Sequence, residues 1–144
     1  MYRKILVALD NSAADEPLLK HIAELAGLLH SQLLLMHVSH GATARYQEQL
    51  DLAESEEMKA ARAHLESTAE QLRRQGLEVS VRLGQGDPCP ELLKAVASEG
   101  CDLIAMGGHG HGLLADLFLG SIVDDVRHRA TVPVLIVGPK TVPT

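Results

Sequence analysis

Residues 101–121 read CDLIAMGGHGHGLLADLFLGS. Cys101–Met106 is an apolar run of strand length, glycines crowd its end, and Gly120 with Ser121 opens a short helical stretch. Gly107, Gly110, Gly120 and Ser121 stand in a G-x-x-G-(nine residues)-G-S pattern. Glycine at a strand end lets backbone amides come close to a ligand. A helix start presents free N–H groups and the positive end of the dipole, both of which favour an anion. Strand, glycine loop and helix start together read as a phosphate cradle and point to a nucleotide.

Outward from this segment, strand and helix signals alternate from end to end. Lys4–Leu9 (KILVAL) is a continuous apolar run closed by Asp-Asn-Ser, the mark of a strand buried on both faces. Ser12 or Asp15 is placed to cap a helix running to about His30, with Leu18, Leu19, Ile22, Leu25, Ala26 and Leu29 on one face. Gln32–Val38 predicts a second strand. A helix follows over about Gln47 to Gln75, with Gly76 at its C-cap. Leu77–Leu83 alternates apolar and polar, as an edge strand with one wetter face does. Asp87 and Pro88 open another helix. The fourth strand is Cys101–Met106, a helix runs from Ser121 to about Arg129, and Val132–Val137 is the fifth strand.

This β-α-β-α-β-α-β-α-β order predicts one α/β domain over 1–144, a five-stranded parallel sheet with helices on both faces. With strands one to three winding outward and strand four returning beside strand one, the order is 3-2-1-4-5. Ligands of such sheets lie beyond the carboxyl ends of the strands, where the order reverses. Asp10 ends strand one and Gly107 ends strand four, so both fall at that crevice.

The glycine segment is no Walker A loop, because no G-x-x-x-x-G-K-[ST] occurs, and its spacing and strand differ from the dinucleotide fingerprint. It resembles the ATP-binding branch of the universal stress proteins, whose G-x-x-G-(nine)-G-[ST] motif is matched by Gly107, Gly110, Gly120 and Ser121. ILVALDNS, LLLMHV, GDPCPELLKAVASEGCDLIAMGGHG and TVPVLIV carry the resemblance over nearly the whole chain. It implies a Rossmann-like fold of the adenine nucleotide alpha hydrolase-like kind and a homodimeric, nucleotide-dependent regulator of the stress response. It further implies that the motif residues hold ribose and phosphates of ATP, or of AMP or ADP, with Mg2+ or Mn2+. Asp10 would contact the adenosine moiety, with Ala8 and Leu9 lining its pocket. Val38 would offer backbone groups to the adenine edge, and Met106 and Ile122 would add wall and amide contacts. His111 stands where many relatives carry arginine. Histidine is charged mainly below its ordinary pKa of about 6.5, so phosphate affinity is expected to rise as pH falls toward about 6.

Composition sets the remaining bounds. A net charge of −6 leaves no basic footprint for nucleic acid or an anionic membrane surface. No apolar run reaches the roughly 20 residues that span a bilayer. The opening MYRKILVALD meets Asp10 after five apolar residues, too few for a signal peptide. The expectation is a cytoplasmic protein in which the two cysteines, Cys89 and Cys101, are buried and reduced. The histidines lack the spacing of a metal site. No lysine or arginine lies between Gly107 and Ser121, so the expectation is binding without catalysis, or at most a weak ATPase. A slow ATP hydrolase and a nucleotide-free interaction module are the alternatives. Val132–Val137 is an apolar edge without lysine, which invites pairing with a second copy; an unidentified protein partner is also compatible with a regulator.

Overall fold

Lys4–Ala8 forms strand β1, with Ile5, Leu6 and Val7 wholly buried, in the computed structural model, which describes residues 1–39, 56–108 and 122–138. A single 3-10 turn, Ala13–Asp15, leads into helix α1, Glu16–Leu29. Then come β2 (Gln32–Ser39), α2 (Glu56–Arg73), β3 (Glu78–Gln85), α3 (Pro88–Glu99) and β4 (Leu103–Gly107). A helix over 122–129, α4, and strand β5 (Val134–Val137) complete the described chain.

The five strands form one parallel sheet in the order β3-β2-β1-β4-β5. Alternation of side chains along each strand divides the core into two layers. Ile5, Val7, Leu33, Leu35 and Ala105 face α1 through Leu18, Ile22 and Ala26, and α2 through Leu65, Ala69 and Leu72. Leu6, Leu34, Met36, Val38, Ile104 and Met106 face α3 through Leu92, Ala95 and Val96, and α4 through Val126. Each large side chain removed from water in this way contributes roughly 1.5–3 kcal/mol. The chain therefore leaves β1 toward one face of the sheet and enters α4, after β4, on the other.

Several boundaries differ from the sequence reading. The third strand runs Glu78–Gln85 rather than Leu77–Leu83, and the fourth Leu103–Gly107 rather than Cys101–Met106. The fifth begins at Val134, not Val132, because Pro133 has no N–H to give the ladder; its carbonyl accepts the Ile104 N–H at 3.0 Å and ends its role there. The expected helix over Gln47–Gln75 is described from Glu56. Its end is as expected: Gly76 has φ +91, its N–H reaches the Arg73 carbonyl at 2.9 Å, and the Leu77 N–H reaches Leu72 at 3.4 Å, a Schellman closure. Asp87 does precede α3 with extended backbone and Pro88 in the first turn, but its side chain makes no capping bond. Both cysteines are buried and free, and burial pushes both thiols up from their ordinary pKa, away from reactivity. Among the described residues no helix is long and apolar enough to cross a membrane.

Candidate functional site

β1 and β4 lie side by side, with Ala8 in register with Met106. Their carboxyl ends thus stop together, and the helices that come next in the chain, α1 and α4, lie on opposite faces, which is where an open α/β sheet leaves a crevice. On the β4 side Gly107 pairs with Val137, and the Gly108 N–H extends the ladder to the Val137 carbonyl at 2.7 Å. A Cβ built on Gly107 would meet nothing within 4 Å among the described residues.

On the β1 side the chain continues into a loop tied down from three directions. The Leu9 N–H donates to the Met36 carbonyl at 2.8 Å, which prolongs β1 by one residue. The Leu9 carbonyl lies 3.0 Å from Nδ1 of His37 on β2. A carbonyl can only accept, so His37 carries its proton on Nδ1 there. Asn11 takes left-handed backbone at φ 60, which asparagine tolerates, and its Nδ2 donates to the Ala61 carbonyl of α2 at 3.2 Å. Asn11 Oδ1 is buried without a partner among the described residues.

The third tie is Asp15. Its Oδ1 accepts the Asp10 N–H at 2.8 Å, and its Oδ2 accepts those of Asn11 at 2.7 Å and Ser12 at 3.3 Å. The side chain is 5% exposed. Burial raises its pKa from the ordinary carboxylate value and outweighs the three N–H bonds that pull the other way; the neighbouring Asp10 charge adds to the rise. Either Ser12 or Asp15 was expected to cap α1. Asp15 occupies the N-cap position in helical backbone and makes no side-chain bond to the helix. The carboxylate turns back to gather the loop instead. The Ser12 hydroxyl donates to Asp10 Oδ2 at 3.1 Å, so the Asp10 carboxylate is itself oriented.

Six of the expected site residues therefore come to one end of the sheet. Ala8 and Met106 are neighbours across β1 and β4; Leu9, Asp10 and Gly107 follow them; Val38 lies near the end of β2. Ile122, at the start of α4, packs into the core layer that holds Val38 and Met106. The Met106 and Val38 side chains are buried, which leaves their backbone as the part that could face a ligand. Gly110, Gly120 and Ser121, with His111, lie outside the described residues. Asp15, Asn11 and the His37 tie are what sequence reasoning missed. The run from Leu9 to Asp15 carries two carboxylates and no cation, so this side of the crevice favours hydroxyl donors over phosphate.

This sheet order and crevice can be set beside known proteins. The family model described as "Universal stress protein family" matches residues 1–138. The chain belongs to the universal stress protein family. Universal stress protein MJ0577 of Methanocaldococcus jannaschii is 28% identical, with 97% of each chain covered. Its solved structure superposes on this universal stress protein with a TM-score of 0.83 at 30% identity, covering 99% of both chains. A universal stress protein solved in complex with cAMP has a TM-score of 0.70 at 20% identity, over 96% of this chain and 98% of that one. One from Archaeoglobus fulgidus in complex with dAMP has a TM-score of 0.71 at 22% identity, over 94% of this chain and 98% of the other. At those identities the last two bear on the fold alone.

Proposed function

We propose that this universal stress protein is a single-domain regulatory protein that binds an adenine nucleotide, ATP first among them, in the crevice between β1 and β4. The observation that carries the reading is that Asp10, its carboxylate oriented by Ser12, follows β1 beside the end of β4, where among the described residues nothing crowds Gly107. Asp10 is suited to accept hydroxyls of the ribose. The phosphates would then run to the other side of the crevice, away from Asp10 and Asp15, where the motif completed by Gly110, Gly120 and Ser121 supplies amide donors. Ala8 and Leu9 would floor the pocket, with Val38, Met106 and Ile122 offering backbone to the base. A divalent ion in this reading arrives on the phosphates, since among the described residues no three His, Cys, Asp or Glu side chains converge on a point. The cAMP- and dAMP-bound proteins support the reading as examples of what this fold accommodates.

In this reading the output is a change of shape or partner rather than turnover, and the protein acts as a homodimer through β5. Support for the dimer is the outer edge of β5, which among the described residues pairs only with β4 and exposes Ile136.

The test is to denature the purified protein, chromatograph what is released, and titrate the refilled or empty protein with ATP. An adenine nucleotide in the released fraction is expected. Asp10→Ala should weaken ATP about tenfold or more, the scale of a lost hydrogen bond to a charged group. No nucleotide released and no binding up to millimolar ATP would leave the empty interaction module as the better reading.

A further inference from the structure

The β1–α1 loop is wrapped around a carboxylate of its own. Three consecutive amides, those of Asp10, Asn11 and Ser12, converge on one carboxylate and are thereby already partnered within the chain. Only an ionised carboxylate offers two acceptor oxygens and no donor hydrogen to such a group of N–H bonds. Asparagine has nearly the same shape, but would push an NH2 against at least one of the amides. Serine or alanine would leave buried N–H groups without partners, at about 1–3 kcal/mol each. The same carboxylate also fixes the backbone of Ser12, whose hydroxyl in turn holds Asp10 Oδ2. A chain of contacts thus runs from a buried acid to a half-buried one.

We propose that Asp15 is the positioning residue of the nucleotide site: it latches the loop so that the Asp10 carboxylate stands ready for the ligand's hydroxyls before the ligand arrives. The inference rests on the nucleotide reading above and adds to it a residue that touches no ligand. Preorganisation of this kind lowers the ordering cost of binding. The titratable and charged groups around the latch, among the described residues, are Asp10 on the loop, Glu16, Lys20 and Glu24 on α1, and His64 of α2 across the groove that Asp15 lines.

The experiment has two independent readouts. The first is the Kd for ATP of the wild type, Asp15→Asn, Asp10→Ala and the double variant. Asp15→Asn is expected to weaken ATP about tenfold alone and by less than about twofold in the Asp10→Ala background, because residues that act through one another are not additive. Wild-type affinity in Asp15→Asn, or an equal loss in both backgrounds, overturns the latch. The second needs no ligand: in the full chain, the amide signals of residues 10, 11 and 12 should titrate with a shared midpoint that is absent from Asp15→Asn. Amides that ignore Asp15→Asn overturn the latch whatever the affinities. If Asp15→Asn does not fold, the wild-type titration and Asp15→Ser carry the same comparison. If the wild type binds no adenine nucleotide, it is the nucleotide reading that falls, and the shared amide midpoint still decides for or against the latch.

Discussion

Asp15 sits between opposed pulls, and the balance sets a pH dependence. Three backbone N–H groups favour its charged form, burial disfavours it more, and the net result is a raised pKa. A carboxylate whose pKa is higher folded than unfolded holds its proton more tightly in the native state. Its contribution to stability is fully present below the unfolded value and is lost as pH rises through the folded one. The stability of the wild type relative to Asp15→Asn should therefore decline as pH climbs from the ordinary carboxylate range, then level off. Urea unfolding of both proteins across pH 4 to about 7 measures this, and a difference that grows with pH would contradict it. Asp10 was legible in the sequence as an acid closing an apolar strand. Asp15 was legible only as an acid before a helix, which reads equally well as a cap. Whether such a side chain points forward to helix amides or back to a loop depends on where that loop is held, and His37 and Ala61, 22 and 46 positions further on, do the holding.

Helix ends show the same division at the next scale up. Gly76 and Gly100 both take left-handed backbone after their helices, as glycine does at little cost. After α1 the equivalent residue is His30, at φ 55 and ψ 41, with its N–H on the Ala26 carbonyl. A residue with a Cβ pays roughly 1–2 kcal/mol in that region, while glycine loses about 0.5–1 kcal/mol more entropy on folding. His30→Gly should leave the fold intact and raise stability by about 0.5–1 kcal/mol in urea unfolding; destabilisation would show that the imidazole makes a compensating contact. Element order and type were readable along the described chain because hydrophobic period is a local property. Boundaries were less so. Val132 looks like strand by composition, yet Pro133 beside it cannot donate, and the ladder starts at Val134.

For the molecule as a whole, the sheet has two edges of different character. β3 carries Glu78, Ser80 and Arg82 on its wetter positions, whereas β5 is Val-Leu-Ile-Val with Ile136 at 40% exposure. Light scattering at micromolar concentration should give the mass of a dimer, and Ile136→Lys, which puts a charge on the apolar edge, should shift it toward monomer. A wild-type monomer would remove β5 as an interface. The alternation of apolar strands with amphipathic helices was enough to determine a parallel sheet covered on both faces, since burying strands on both sides and helices on one admits few other packings. The glycine pattern likewise marked one strand end as unusual without any coordinates. Only the tertiary structure decided how Asp10 is presented there, because its aim depends on amides, a buried acid and a histidine that meet through the folding of β1, β2, α1 and α2 upon one another, and no local period in the chain records such a meeting.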